Sequence, residues 1–226
     1  MSTRKPAAPT RVAMVGLTIL ALAISGCSSR LDKEEKQTRE VPSDQLKDWA
    51  KLHAEPYDVP ERALRSYAYA AAAMGKAQPN CGMGWSTLAA IGEVSSDHGE
   101  ASSGVVTGEG LVVPALRNLA QANPSHAKPL ADTDAGRFDG NEKYDVTMGP
   151  MQILPSRWEQ FATDADNDNK SDPDNYDDAT LTTARFLCAA GGDMRRPEGW
   201  ATAVSQFNRM PDFLEKVHAA AMKYGR

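Results

Sequence analysis

Helix-forming segments separated by loop-forming stretches are the feature that most constrains the fold of this chain. The segment "PERALRSYAYAAAAMGKA" starts with Pro60 at a helix-opening position and continues with alanine-rich helix formers. The next segment, "GWSTLAAIGEVSS", places Leu88, Ile91 and Ser95 along roughly one helical face. A sustained alternation of apolar and polar residues, which would indicate strands, occurs nowhere in the sequence. The chain is therefore predicted to be mainly α-helical.

The C-terminal half continues this pattern after a long irregular stretch. Residues 99–148 are rich in Gly, Pro, Asn and Asp and are predicted to be mostly loop, with one short helix around Leu116–Ala122. Helical segments return at "PSRWEQFA", "DDATLTTARFLCAA", "EGWATAVSQF" and "PDFLEKVHAAAMKYG". Long loops in a compact domain usually line a site. A functional site is therefore expected where these loops meet the helices.

The N-terminal 27 residues have the features of an export signal. Three basic residues open the chain, and the apolar run "VAMVGLTILALAI" that follows suits a signal-peptide core and is short for a membrane span. The run ends in "ISGC", which resembles a bacterial lipobox with Cys27 as the residue that takes the lipid. We predict a signal peptide over residues 1–26 and a palmitate-type acyl anchor on Cys27. The alternative is an ordinary secretory signal with a chance cysteine.

The segment after Cys27 is charged and polar and is predicted to be a spacer from the membrane. It reads "SSRLDKEEKQTREVPSDQLKDWAKLHAEP", with one short helix expected around Asp44–His53. The predicted organisation is a lipidated cysteine and polar tether over residues 27–58, followed by one domain over residues 59–226. The protein is expected to be exported and anchored to the outer face of the plasma membrane, in the cell envelope.

The charge of the chain argues against nucleic-acid binding. Removal of residues 1–26 takes away three basic residues and leaves 22 Lys and Arg against 30 Asp and Glu, a net charge of −8. No basic stripe is present in the sequence. Nucleic acid is therefore not an expected partner.

The number of cysteines is consistent with an exported protein. Once Cys27 carries lipid, Cys81 and Cys188 remain as an even pair in an oxidising compartment, and we predict that they form a disulfide. Closing a loop of this length restricts the unfolded chain by about 4–5 kcal/mol in the entropy model. Two buried free thiols are the alternative. A catalytic cysteine is disfavoured because no histidine lies in a recognisable partner motif.

Four stretches of the chain resemble one family of cell-wall enzymes in their order and spacing. They are "CGMGWSTLAAIGEVSSDHG", "DTDAGRFDGNEKYDVTMGPMQILPSRW", "DADNDNKSDPDNYDDATLTTARFLCAAGGD" and "AVSQFN". Together they resemble the lytic murein transglycosylases of the membrane-bound B type, in the compact form found in actinobacteria, over about residues 60–224. The most specific part is "GPMQILPSRW" with the "DTD-GR-DG" loop before it. The resemblance implies a lysozyme-like α-domain that cleaves the MurNAc–GlcNAc bond of peptidoglycan and leaves a 1,6-anhydro sugar end.

The catalytic position of this family is altered here. The family uses one glutamic acid, in a "V-E-S-x-H-G" stretch, which protonates the leaving oxygen and then accepts the proton of the sugar's 6-hydroxyl. Here the aligned stretch is "VSSDHG", so the resemblance places Ser95 at the catalytic position. A serine hydroxyl is far too weak an acid to protonate a glycosidic oxygen at neutral pH. Cleavage activity is therefore predicted to be lost or weakened.

Neighbouring carboxylates are poor replacements for the missing acid. Glu93 and Asp97 each lie two positions from the serine, about 200° around a helix, and are expected to face away from the cleft. Glu100 lies beyond the expected end of the helix. Asp139 and Asp145, on later loops, could approach the cleft but correspond to no acid of the family. An active enzyme that uses another carboxylate remains the alternative.

Other parts of the cleft match the family. The resemblance implies substrate contacts from Gln152, which matches a sugar-binding residue, and from Asn208, which matches the Asn of a "YN" pair. Phe207 stands where the family usually has the Tyr of that pair, so a cleft hydroxyl is lost. Tyr144 and Met151 are predicted to complete the substrate-binding surface.

Two further motifs concern metals. A single histidine without a cluster of ligands does not make a metal site, so His98 is interpreted as a structural residue at a helix end. The acidic loop "DADNDNKSDPDN" follows the spacing of an EF-hand, with Asn169 replacing Gly at position 6 and Asn175 replacing the bidentate Glu at position 12. Weak structural calcium binding is predicted, and a solvated acidic turn is the alternative. The predicted ligands are Asp164, Asp166, Asp168, Lys170 and Asp172.

These features predict a cell-envelope lipoprotein that binds peptidoglycan glycan strands. Its expected role is in wall remodelling, or as a regulator or scaffold of an active cell-wall enzyme. No cofactor is required for this role apart from possible structural Ca²⁺. The alternatives are an active lytic transglycosylase and, less favoured, a protein-binding adaptor.

Overall fold

The computed structural model describes residues 42–118 and 129–225. The predicted signal peptide, Cys27 and the first part of the tether lie outside the described residues, as do residues 119–122 of one predicted helix. The described part contains seven α-helices and two short 3-10 helices, Pro42–Leu46 and Ala101–Ser103. The α-helices are α1 (Lys47–Tyr57), α2 (Glu61–Ala77), α3 (Trp85–Ser96), α4 (Pro155–Phe161), α5 (Tyr176–Gly191), α6 (Pro197–Phe207) and α7 (Phe213–Tyr224).

The strands are only two residues long. In the described ranges they form two antiparallel pairs, β1 (Val105–Val106) with β2 (Val112–Val113) and β3 (Leu130–Ala131) with β4 (Tyr144–Asp145). The described start of the predicted helix, residues 116–118, is not helical. Its backbone groups pair elsewhere: Arg117 forms a bridge with Met148, and the Asn118 amide donates to the Thr147 carbonyl.

The core lies between α2, α3, α5 and the C-terminal helices. Its largest fully buried side chains include Tyr67 of α2, Ile91 of α3, Leu187 of α5 and Tyr224 of α7. Cys81, in the connection between α2 and α3, is bonded to Cys188 near the end of α5. The predicted mainly helical fold and the predicted disulfide are confirmed. Between residues 42 and 225, the described helices are all too short or too polar to span a membrane.

Residues 42–58, which the sequence assigned to the tether, are packed onto the domain. Ser43 of the first 3-10 helix and Ala50 of α1 are fully buried. The Ser43 hydroxyl donates to the Asp177 carboxylate at 3.0 Å, and Asp44 forms an ion pair with the buried Arg65. Small buried residues in a mostly polar segment give little hydropathic signal, so this packing was not foreseen. The packed part of the chain therefore begins by residue 42, not at residue 59.

Candidate functional site

Ser95 lies in the last turn of α3. The helix ends at Ser96, and Asp97 follows in a left-handed conformation with φ +50°. Only 7% of Ser95 is exposed, and its Oγ has no hydrogen-bond partner among the described residues. The serine is therefore buried but not activated by any neighbouring base.

The adjacent Ser96 ties the end of α3 to the GPMQ turn (residues 149–152). Its Oγ donates to the Pro150 carbonyl at 2.6 Å and accepts from the Gly99 amide at 2.8 Å. The first position of the turn requires glycine. Gly149 has φ +65°, and a Cβ added there would lie 1.7 Å from the Pro173 carbonyl oxygen. The motif is thus a tight turn wedged between α3 and the chain entering α5.

Gln152 holds this turn together. It is buried, its Oε1 accepts from the Thr147 hydroxyl at 2.5 Å, and its Nε2 donates to the Gly149 carbonyl at 2.8 Å. Met151, beside it, is fully buried in the core. Both residues, predicted from the sequence to contact substrate, therefore lie beneath the surface of the turn.

The other two predicted substrate-binding residues are more accessible. Tyr144 is 47% exposed in β4, and Asn208 is half-buried where α6 ends. The Asn208 Oδ1 accepts from the Met210 amide at 2.9 Å. Phe207 is buried against the rings of Phe186 and Phe213, so the ring without a hydroxyl is a core residue here.

The carboxylate of Glu93 points away from Ser95 as expected, towards α7. It accepts a short hydrogen bond from the Tyr224 hydroxyl and lies 3.6 Å from the ammonium group of Lys223. The Glu93 carboxylate is therefore engaged by residues of α7 and is not directed at Ser95.

Asp139 and Asp145 have structural partners in the loop between β3 and the GPMQ turn. Asp139 accepts from the amides of Asn141 and Val146, and Asp145 accepts from the amide and hydroxyl of Thr133. Both carboxylates therefore shape the loop. Asp145 also lies within 4.8 Å of Asp132 and Asp134, whose oxygens accept amide hydrogen bonds from the same loop.

His98 is buried and bonded on both sides. Its Nδ1 is 3.0 Å from the Tyr67 hydroxyl, and its Nε2 is 3.0 Å from the Tyr224 hydroxyl. Burial lowers the pKa of His98 to about 4. Both ring nitrogens are committed, so His98 does not serve Ser95 as a general base.

The acidic loop before α5 brings three carboxylates together. Ligand oxygens of Asp164, Asp166 and Asp178 lie within 4.8 Å of one another. Asp178 was missed by the sequence analysis because the EF-hand template ends at Asn175, whereas Asp178 follows in the first turn of α5. Its carboxylate accepts from the amides of residues 165 and 172 at 2.6 and 2.9 Å, which folds the loop back onto the helix.

The remaining predicted ligands are placed differently. The carboxylate of Asp168 accepts from the Lys170 amide, and that of Asp172 accepts from the Asp174 amide. Asn175 caps α5 and also donates to Asp166 at 2.8 Å. Of the predicted ligands, Asp164 and Asp166 therefore lie in the carboxylate cluster, together with Asp178, and calcium binding there stays a prediction.

Electrostatics favour a cation at this cluster. Burial raises the pKa of Asp178 to about 7, and burial also raises the pKa of Asp166. A hard divalent cation such as Ca²⁺ prefers carboxylate oxygens and would offset the cost of burying these charges. The side chains present thus fit a structural calcium ion.

Comparison with known proteins finds a family match over part of the chain. Residues 142–223 match the family model of the transglycosylase SLT domain, a range that contains Gln152, Asn208 and the acidic loop and begins after α3. A search of curated proteins and a search of solved structures each found no match. The helical fold with its single described disulfide is consistent with a lysozyme-like SLT domain. The family match supports a lytic transglycosylase SLT-like domain with a function related to peptidoglycan.

Proposed function

We propose that this protein binds peptidoglycan glycan strands and cleaves them weakly or not at all. The observation that carries the proposal is Ser95, whose hydroxyl is buried and without a hydrogen-bond partner in the described part of the chain. A single-acid mechanism requires a carboxyl group there that donates and then accepts a proton. A neutral hydroxyl with no neighbouring base supplies neither step.

The alternative of an active enzyme needs a carboxylate from elsewhere. Glu93 is engaged by Tyr224, and Asp139 and Asp145 accept hydrogen bonds that shape their own loop. Asp97 and Glu100 are exposed just after the end of α3 and are the neighbours that a substrate-induced movement would have to recruit. These contacts favour binding over cleavage.

The retained turn supports binding. Gly149, Gln152 and Thr147 hold the GPMQ turn in one conformation through two hydrogen bonds, so the motif that resembles the family is an ordered element of this domain. Tyr144 offers an exposed aromatic ring and Asn208 a partly exposed amide, the two groups that carbohydrate surfaces commonly contact.

The location and partners are part of the same proposal. Acylation of Cys27 after export would hold the domain at the outer face of the plasma membrane, next to the wall. There it would act in wall remodelling by regulating or scaffolding an active wall enzyme. A protein-binding adaptor, by contrast, would not bind the glycan.

Calcium has a structural part in this proposal. Asp164, Asp166 and Asp178 would hold the ion between the acidic loop and the first turn of α5. The ion would neutralise buried carboxylates there. Tyr144 and Asn208 would contact the sugar independently of the ion.

The test incubates the purified protein with purified peptidoglycan and analyses the soluble products by mass spectrometry. We expect the native protein to co-sediment with the wall and to release no 1,6-anhydro-MurNAc ends, and Ser95→Glu to release them. Ser205→Glu, which adds the same charge at an exposed position of α6, is the matched control and should remain silent. Release of anhydro products by the native protein would overturn the proposal, and failure to co-sediment would favour the adaptor.

A further inference from the structure

A chain of hydrogen bonds crosses the core and ends at Glu93. Tyr176 and Tyr67 are joined through their hydroxyls at 2.9 Å, and Tyr67 reaches His98 Nδ1 at 3.0 Å. His98 Nε2 is 3.0 Å from the Tyr224 hydroxyl, which donates to Glu93. We call these five residues the Glu93 chain.

The chemistry of Glu93 sets the direction of every proton in this chain. A carboxylate only accepts, so the Tyr224 hydrogen points to Glu93 and the Tyr224 oxygen must accept from His98 Nε2–H. A neutral imidazole with hydrogen on Nε2 has a bare Nδ1, which then accepts from Tyr67. The Tyr67 oxygen in turn accepts from Tyr176. All four hydrogens therefore point towards Glu93.

A second proton on His98 is incompatible with this order. Nδ1–H would donate to Tyr67, so the Tyr67–Tyr176 pair would hold two hydroxyl hydrogens but only one hydrogen bond between them, and one of these hydrogens would have no acceptor among the contacts of the described residues. The charged imidazolium would also be buried without a carboxylate in direct contact. Protonation therefore weakens the chain by leaving one buried hydroxyl hydrogen without an acceptor.

The surroundings of His98 favour its neutral form. The titratable and charged groups that face it are Tyr67 from α2, Glu93 from α3, Asp97 just after α3, Tyr176 from α5, Lys223 and Tyr224 from α7, and Asp58 after α1. The carboxylates among them raise the pKa of His98 and Lys223 lowers it, but burial has the largest effect and brings the pKa to about 4. The ordinary value is about 6.5.

The chain holds the end of the helix that carries Ser95. It joins α3 and the following residue His98 to α2, α5 and α7, while Ser96 joins the same helix end to Pro150. Gly92 allows Tyr67 to approach, because an added Cβ would lie 1.8 Å from the Tyr67 hydroxyl oxygen. The end of α3 and the GPMQ turn are thus positioned from the core side by this chain.

We propose that Glu93 and His98 are positioning residues: Glu93 imposes a one-way hydrogen-bond chain that fixes the end of α3, and protonation of His98 releases it. The consequence for glycan binding rests on the proposed function above. The end of α3, which carries Ser95, is held in place at neutral pH and loses this support in acid. Below the midpoint of His98 protonation, glycan affinity falls about tenfold for each pH unit if only the neutral form binds.

The first test reads the chain without any glycan. The full chain, labelled with ¹⁵N-histidine and kept in mild detergent, is titrated by NMR from pH 8 to 3.5. We expect His98 as the Nε2–H tautomer with a midpoint well below 6.5. Glu93→Gln, whose amide can also donate, should allow the Nδ1–H tautomer, whereas Asp97→Asn is the matched control and should leave the tautomer unchanged. An Nδ1–H tautomer in the native chain, or a midpoint at or above 6.5, would overturn the proposal.

The second test measures co-sedimentation with peptidoglycan over the same pH range. Native binding should fall at the NMR midpoint, and His98→Asn should bind more weakly with little change between pH 6.5 and 3.5. Native binding that stays constant while His98 titrates contradicts the proposal. Absence of binding at every pH would contradict the proposed function instead. In that case the NMR tautomer and midpoint of His98 would still test the hydrogen-bond chain on its own.

Discussion

Two adjacent serines at the end of α3 make opposite contributions. Ser95 buries a hydroxyl without a partner in the described chain, which costs about 1–3 kcal/mol relative to a satisfied or absent hydroxyl. Ser96 buries a hydroxyl that donates to the Pro150 carbonyl and accepts from the Gly99 amide.

We expect Ser95→Ala to raise the free energy of unfolding by about 1 kcal/mol, because it removes an unpaired polar group from the interior. Ser96→Ala should lower it by about 1–2 kcal/mol, because the Pro150 carbonyl and the Gly99 amide lose their partner. Urea denaturation of the two variants measures both values. A loss of stability in Ser95→Ala equal to that in Ser96→Ala would show that Ser95 has a partner.

At the scale of elements, the acidic loop and α5 depend on each other. Asp178 in the first turn of α5 accepts amides from the loop, and Asn175 both caps the helix and contacts Asp166. The sequence could predict Asp164 and Asp166 because a loop motif repeats at short spacing. It could not predict Asp178, because only the helical turn brings that residue back over the loop.

Calcium should distinguish the carboxylate cluster that includes Asp178 from the ligand set predicted by the EF-hand spacing, which includes Asp172. We expect added Ca²⁺ to raise the melting temperature of the native protein, since the ion offsets the repulsion among three clustered carboxylates. Asp178→Asn should abolish most of this rise, and Asp172→Asn should retain it. Differential scanning calorimetry with Ca²⁺ or with a chelator provides the measurement. A response that is lost in Asp172→Asn and kept in Asp178→Asn would restore the set predicted from the EF-hand spacing.

At the scale of the whole molecule, the packed part of the chain includes the N-terminal segment. The helices and the disulfide could be predicted because periodicity and helix caps are local signals and because Cys81 and Cys188 are the two cysteines of the predicted domain. The docking of residues 42–58 and the Glu93 chain could not, since both depend on polar residues far apart in sequence that meet only after folding. Asp177 is the clearest case, because Ser43, Ser66 and Arg62 all converge on it.

Asp177→Asn should destabilise the fold by about 3 kcal/mol. The substitution leaves the Arg62 guanidinium, which is largely buried, without its counter-ion, and breaking a buried ion pair is costly. Glu159→Gln, which removes one side of the exposed Arg137–Glu159 pair, is the control and should leave the denaturation midpoint nearly unchanged. Chemical denaturation followed by circular dichroism gives both midpoints. Equal shifts in the two variants would contradict the role assigned to Asp177.

The docking of Ser43 and Asp44 onto the domain also limits its reach. If the acyl anchor is at Cys27, the chain between the lipid and the packed segment is residues 28–41, and a fully extended stretch of that length covers at most about 50 Å. A tether running to residue 58 would have covered roughly twice that distance. The protein would then reach only the glycan strands nearest the membrane, and more distant strands would be out of its reach.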